Sequence, residues 1–185
     1  MNWNSHSNLE GTHAFLSASK YNWINYDEAR LIEAYRRFKA AAKGTELHDF
    51  AAKCIELRQK LPKSDKTLNL YVNDALRYHM RPEQKLYFSS NCYGTADAIS
   101  FENGMLRVHD LKTGEIPAHI EQLMIYAALF CMEYGRKPKD IDMELRLYQN
   151  DEVLCHNPAA EEIDDIIEKI FAFDKILKSM EEEEQ

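Results

Sequence analysis

Three charged side chains, Asp97, Asp110 and Lys112, lie in two neighbouring segments that the sequence predicts to be β-strands. In MLRVHDLK, residues 105–112, the alternation of apolar and polar residues puts Asp110 and Lys112 on the same side of the sheet, about 7 Å apart. Asp97 is one hairpin back, in YGTADAISF, and ENG is the predicted turn. Two carboxylates from adjacent strands can bind one hard cation, Mg²⁺ or Mn²⁺, and the carbonyl of Leu111 can reach the same ion. A lysine beside that ion can position or deprotonate an attacking water, or stabilise charge on a phosphate, so the set has the groups needed to hydrolyse a phosphodiester.

Four other side chains could complete such a site. Gln122 and Tyr126 lie four residues apart on one face of a predicted helix, where Gln122 could hold Lys112 or a phosphate and Tyr126 could contact substrate. His48 could add an imidazole ligand, which would favour Mn²⁺. Glu83 is a weak candidate for a further carboxylate.

Each of these residues also has an ordinary structural explanation. An isolated Asp-x-Lys is most often a surface ion pair worth less than about 1 kcal/mol. Gln122 and Tyr126 fit a half-buried polar pair, a lone histidine on a helix is usually a core or surface residue, and Glu83 fits a helix end near Arg81. The combination, rather than any one residue, favours a site.

The elements that would position these residues follow from periodicity. Apolar residues at helical spacing predict a helix from Asp27 that stops at Gly44, and a second helix capped by Thr45 and ended by Pro62. Further helices are predicted over 66–79, 117–135 and 158–180, and strands over 85–90, 93–101, 105–112 and 141–149.

This order predicts a mixed α/β fold in which helices flank a central mixed sheet. No linker or repeat divides residues 1–185, so we expect one domain. Its parts would be a mainly helical segment 1–80, the sheet and its helix in 81–155, and a C-terminal helix with an acidic tail in 156–185.

The overall charge neither supports nor excludes a nucleic-acid partner. The chain carries a net charge of −8, but the segment 156–185 holds ten acids and three lysines, so the remainder is nearly neutral. No apolar run approaches the roughly 20 residues of a membrane span, and the N-terminus lacks the features of a signal peptide. We therefore expect a cytoplasmic protein with no membrane partner.

The four cysteines lie far apart and form no Cys-x-x-Cys pair. Such spacing argues against a zinc knuckle or a compact iron–sulfur motif. We expect four free thiols, most of them buried.

Taken in order, GTELH (44–48), GTAD (94–97), DLK (110–112) and QLMIY (122–126) resemble the PD-(D/E)XK nuclease superfamily, specifically its RecB-type branch. FLSASKYNWI (15–24) is also similar to the segment that opens many members of that branch. The likeness covers roughly residues 15–130. One departure is an aspartate, Asp110, where glutamate is commoner.

The resemblance implies a restriction-endonuclease-like core with an N-terminal helical elaboration. By it, Asp97, Asp110 and the Leu111 carbonyl would bind Mg²⁺ or Mn²⁺ with His48, while Lys112 would be catalytic. Gln122 and Tyr126 would support Lys112 and contact the DNA backbone. Some relatives hold an iron–sulfur cluster through one early and three late cysteines, a pattern that this chain lacks, so we expect no cluster.

The function that this resemblance implies is a metal-dependent deoxyribonuclease, a RecB-like exonuclease of the free-standing kind that phages and mobile elements encode. DNA would be its partner, with a recombination or replication protein as a further candidate. Two alternatives remain at this point: a catalytically silent nuclease-fold protein that binds DNA or a protein partner, and a helical scaffold whose charges are all at the surface.

Overall fold

The computed structural model describes residues 15–16, 18–114 and 118–183. It confirms a mixed α/β fold built on a five-stranded sheet. The helices are α1 (Glu28–Glu56), α2 (Thr67–Arg77), α3 (Glu121–Glu133) and α4 (Ala160–Glu183), with short 3₁₀ helices at Ala18–Asn25 and Pro138–Asp140. The strands are β1 (Arg81–Ser89), β2 (Cys92–Glu102), β3 (Met105–Leu111), β4 (Asp142–Gln149) and β5 (Glu152–His156).

The strands lie in sequence order, β1-β2-β3-β4-β5. All neighbouring pairs are antiparallel except β3 and β4, which are parallel. A parallel pair needs a crossover, and α3 supplies it. The chain therefore leaves β3 just after Asp110 and returns along α3, which places Gln122 near the end of that strand.

Two apolar cores lie on opposite faces of the sheet because residues alternate along β3. Leu106 and Val108 pack in the core that contains α3 residues such as Leu123 and Ala127. Leu111 packs in the other core, whose remaining buried residues come from α1, α2, β2, β4 and the segment before β1: Ala51, Cys54, Ile55, Tyr71, Val72, Ala75, Met80, Ala98 and Tyr148.

The α2 face also holds a polar network in which His109 and Tyr148 are buried and Asp74 and Arg146 are half-buried. The Tyr148 hydroxyl donates to Asp74 Oδ2 at 2.8 Å, and Arg146 donates to the same oxygen at 2.9 Å. His109 is fully buried beside Tyr148, and burial with the nearby cations Arg146 and Arg107 lowers its pKa to about 3. The network ties α2 to β3 and β4, so the strand that carries Asp110 is held from this face.

The chain divides at Thr45 and Glu46 into two compact units. In the first, Phe15 packs against Tyr35 and Phe38. The second contains the sheet and every residue proposed above for the site. The interpretation of residues 1–185 as one domain stays a prediction.

The predicted break at Gly44 is wrong, because α1 runs unbroken from Glu28 to Glu56. Glycine costs roughly 1 kcal/mol in a helix interior but does not stop it. The Thr45 hydroxyl does not cap a new helix: it donates to the carbonyl of Ala41 four residues back, at 3.3 Å, as threonine does inside a helix. The helix ends before Arg58, whose φ is +53°, ahead of Pro62.

The sheet also differs from the prediction at both edges. β1 begins at Arg81 rather than at residue 85, and it accommodates Pro82 because an edge strand needs no donor on its outer side. β5, which the sequence analysis missed, pairs with β4 through a two-residue turn at Asn150 and Asp151. Both turn residues have positive φ, 53° and 62°, as a type I′ hairpin requires.

The structure tests some of the remaining predictions. The ENG turn is confirmed, with φ of +52° at Asn103 and +80° at Gly104. Gly135 follows α3 with φ +60°, whereas the predicted start of that helix at Pro117 lies outside the described residues. Cys54 and Cys131 are buried free thiols, Cys92 is half-buried and Cys155 is exposed. No helix in the described ranges has the length and apolarity that crossing a membrane would require.

Candidate metal centre and active site

The alternation of β2 is interrupted at Asp97. Ala96 packs in the α3 core with Ile99, but Ala98, two residues after Ala96, packs in the opposite core. Regular alternation would put Ala96 and Ala98 on the same face. An irregularity of this kind re-aims a side chain locally, and such features are frequent beside active sites.

The partner strand is distorted at the matching position. Pro82 pairs with Ala98 and Gln84 with Ala96, so Glu83 lies opposite Asp97. Glu83 has φ +49°, a left-handed conformation that costs a residue with a side chain roughly 1–2 kcal/mol. Strain of this size persists where the surroundings enforce it, and it often marks a functional position.

His48 joins these two carboxylates from α1. It precedes Ala51 and Ile55 by three and seven residues, so it shares the buried face of that helix. Its Nδ1 lies 3.4 Å from Asp97 Oδ2. One ligand atom from each of His48, Glu83 and Asp97 lies within 4.8 Å of the others, the spacing of a group that could hold one metal ion.

Asp110 and Lys112 form the second half of the site. Asp110 is 1% exposed, and the Lys112 ammonium donates to its Oδ1 at 3.1 Å and lies 2.9 Å from its Oδ2. Oδ2 is buried, and its contact with the Lys112 ammonium is an ion pair and not a well-directed hydrogen bond. The Lys112 backbone N–H donates to the carbonyl of Tyr148 at 2.9 Å, which holds the start of the segment after β3 against β4.

The same ammonium reaches α3. Lys112 Nζ donates to Gln122 Oε1 at 2.8 Å, and Gln122 Nε2 donates to the Tyr126 hydroxyl at 3.1 Å. Tyr126 in turn packs against the backbone of Gly94: a Cβ added at Gly94 would lie 2.8 Å from Tyr126 Cε1. Only glycine permits this approach, so GTAD contributes a glycine for packing as well as an aspartate for the site.

The negative charge of Asp110 acts on Asp97. Burial, and next the negative charge of Asp110, raise the pKa of Asp97 to about 6. The Leu111 backbone N–H, which donates to Asp97 Oδ2 at 2.9 Å, and the nearby His48 oppose that rise. Two ionised carboxylates this close repel each other, and a cation bound between them would offset that repulsion.

The donor set fits Mg²⁺ or Mn²⁺. Oxygen ligands suit both ions, and an imidazole shifts the preference toward Mn²⁺. The carboxylate of Asp110 is buried near Asp97 and is already paired with the Lys112 ammonium, 2.9 Å from Oδ2. Within the described residues, the side chains of His48, Glu83 and Asp97 would therefore hold the ion most directly. Asp110, which contacts Lys112, would lie next to them.

The structure brings the predicted residues together in a modified arrangement. Glu83, the weakest candidate from sequence, lies in the three-residue group, whereas Asp110 lies outside that group and contacts Lys112. The Leu111 N–H contacts Asp97, and a metal-ligand role for its carbonyl stays a prediction. The interpretation of Asp110 as a surface charge is wrong, because this carboxylate is buried.

Comparison of this chain with family models, with curated proteins and with solved structures found no match to any of them.

Proposed function

We propose that the protein is a metal-dependent nuclease that hydrolyses phosphodiester bonds in DNA. The observation that carries this proposal is the position of Lys112, whose ammonium is held by Asp110 and Gln122 beside the His48–Glu83–Asp97 cluster. A surface ion pair needs neither a buried aspartate nor a glutamine that fixes the lysine. This arrangement also agrees with the proposed relation to the PD-(D/E)XK superfamily.

The cluster would hold Mg²⁺ or Mn²⁺ through His48 Nδ1 or Nε2 and carboxylate oxygens of Glu83 and Asp97. An ion there supplies Lewis-acid polarisation of a phosphoryl oxygen and lowers the pKa of a water. The protein's own contribution is to present these oxygens from two distorted strand positions, so that the ligands converge without rearrangement.

Lys112 is the residue that would act on the reacting groups. An ammonium has three N–H donors, and Asp110 Oδ1 and Gln122 Oε1 accept two of them. The ammonium also lies 2.9 Å from Asp110 Oδ2, so the third N–H would be shared between that oxygen and an attacking water or a non-bridging phosphate oxygen. Because Asp110 and Gln122 hold the ammonium from two sides, that donor would have a defined direction.

Gln122 and Tyr126 are positioning residues. The Gln122 amide oxygen accepts from Lys112 and its amide nitrogen donates to the Tyr126 hydroxyl, so the bond to Tyr126 favours the amide orientation that faces the lysine. The packing of Tyr126 on Gly94 of β2 restrains the ring, so the lysine is supported through two side chains of α3.

The proposal is tested by incubating purified protein with end-labelled linear duplex, circular duplex and single-stranded DNA, in Mn²⁺ and in EDTA. We expect cleavage in Mn²⁺ only, and loss of cleavage in Asp110→Asn. Glu102→Gln is the matched control, because Glu102 is a carboxylate of β2 that pairs with His79 outside the cluster. No cleavage of any substrate by the wild type in Mn²⁺ or Mg²⁺ would overturn the proposal.

A further inference from the structure

Two exposed tyrosines lie opposite each other at the far end of the β1–β2 hairpin. Tyr87 pairs with Tyr93 across the strands, and their ring centroids are 6.3 Å apart with 26° between the ring planes. They are 55% and 66% exposed. Tyrosines that serve the core are buried, as Tyr71 and Tyr148 are here, so this pair is not part of the core.

A lysine follows the tyrosine pair on the same side of the hairpin. Lys85 pairs with Thr95, the next position of the same alternation, and Lys85 is exposed. Its ammonium makes no ion pair within the described residues, although the protein carries a net charge of −8. A free cation beside exposed aromatic rings suits a ligand that carries both phosphates and flat bases.

The next position along the hairpin belongs to the candidate metal centre. Two residues beyond the Lys85–Thr95 pair lie Glu83 and, opposite it, Asp97. The tyrosine pair is four residues from that position, which corresponds to about 14 Å along the strands. The tyrosines, the lysine and the metal ligands thus form one continuous strip on an edge hairpin.

We infer that this strip, defined by Tyr87, Tyr93, Lys85 and Thr95, binds an unpaired strand of nucleic acid and aligns it with the metal cluster. The tyrosine rings would stack on bases, while Lys85 would contact a phosphate. Duplex DNA fits the strip poorly because its base faces are already stacked on one another. This inference rests on the proposed function only for what happens at the cluster; binding to the strip requires no metal.

Binding is measured by fluorescence anisotropy of a labelled 20-nucleotide single strand in EDTA, where cleavage is absent. We expect Tyr87→Ala/Tyr93→Ala to weaken binding at least about ten-fold, since each stacked base contributes roughly 1–3 kcal/mol. Tyr87→Phe/Tyr93→Phe keeps both rings and should stay within about two-fold of wild type. Tyr134→Ala, at another half-exposed tyrosine, should also leave binding unchanged.

Two further binding experiments identify which parts of the nucleic acid contact the strip. Lys85→Gln should flatten the dependence of log K on log salt by about 0.7, the value for one phosphate of a single strand. An RNA strand of the same sequence should lose affinity in the alanine variant as DNA does, because the rings contact bases and not sugars. A duplex of the same sequence should bind more weakly than the single strand.

Equal single-strand affinity of wild type and Tyr87→Ala/Tyr93→Ala would overturn the inference, as would an equal loss in the phenylalanine variant. A tyrosine-dependent affinity greater for duplex than for single strand would overturn it too. If the tyrosine-dependent binding occurs but no metal supports cleavage, the proposed function fails and this inference stands. If single strands are cleaved but binding does not depend on the tyrosines, the proposed function stands and this inference fails.

Discussion

The ammonium of Lys112 donates a hydrogen bond to the amide oxygen of Gln122, 2.8 Å away, and so links the end of β3 to the first turn of α3. Gln122 completes a chain of contacts from the lysine to Tyr126 and then to Gly94. This chain holds the proposed catalytic group without contributing a metal ligand. Its members should therefore affect turnover separately from metal affinity.

Replacement of Gln122 by leucine should lower the rate of cleavage while metal binding is retained. The leucine fills similar space but cannot accept from Lys112, so the ammonium loses one of its two fixed partners. We expect a ten- to hundred-fold fall in kcat, the order expected from a misplaced reacting group. Mn²⁺ titration by calorimetry should match that of wild type, and Glu121→Ala, at the exposed neighbouring position, should leave both quantities unchanged.

Gly94→Ala should destabilise the protein through one identified contact. Its Cβ would lie 2.8 Å from Tyr126 Cε1, so the ring must move, and overpacking of this kind costs about 1–3 kcal/mol. Denaturant unfolding measures the cost. In a Tyr126→Leu background the ring is absent, so Gly94→Ala should lower the free energy of unfolding by much less than it does in the wild type. Additive losses would show that the contact is not the cause.

Asp97 should make the metal-free protein less stable as the pH rises. Its pKa in the fold, about 6, is above its ordinary value of 3.8, so the folded state keeps the proton longer than the unfolded state does. The free energy of unfolding should therefore fall between about pH 4 and pH 6 and change little above that range on this account. In EDTA, Asp97→Asn should be more stable than wild type at pH 8, by at most about 3 kcal/mol, and equal to it near pH 4.

Added Mn²⁺ should reverse this order at pH 8. A ligand that binds only the folded state raises the free energy of unfolding, and the wild type has the carboxylate that Asp97→Asn lacks. Thermal unfolding with and without 1 mM Mn²⁺, at about pH 8, measures both effects. A stabilisation by Mn²⁺ of equal size in the two proteins would exclude Asp97 as a ligand.

Glu83→Gly should weaken metal binding and raise the stability of the metal-free protein. Glycine adopts φ +49° without the penalty that a glutamate has there, so the metal-free variant should gain about 1 kcal/mol or less in its free energy of unfolding. Glu83→Ala removes the same carboxylate but keeps the strained conformation, so it should weaken Mn²⁺ binding equally without that gain. Unchanged Mn²⁺ affinity in both variants would remove Glu83 from the site.

The arrangement around Lys112 was predictable from sequence because it depends on local rules. Period-two alternation places Asp110 and Lys112, the ENG turn brings Asp97 to the adjacent strand, and helical spacing joins Gln122 to Tyr126. His48 faces the site although the helix break before it was predicted wrongly, because its spacing to Ala51 and Ile55 does not depend on where the helix begins.

The features that sequence did not reveal depend on register and backbone distortion. Glu83 looked like a helix-end residue, and only the pairing of β1 with β2 puts it opposite Asp97. The stacked Tyr87 and Tyr93 likewise become a pair only once that register is known. The Asn150–Asp151 dipeptide suits a type I′ turn and is the sequence signal that would predict β5.

The central claim is that Lys112 acts on the reacting groups and not on the metal. The most direct measurement is the single-turnover rate of DNA cleavage by Lys112→Ala in saturating Mn²⁺, with Mn²⁺ affinity measured by calorimetry on the same preparation. We expect the rate to fall at least about a hundred-fold while Mn²⁺ affinity stays within a few-fold of wild type. Cleavage by Lys112→Ala at the wild-type rate would contradict the account.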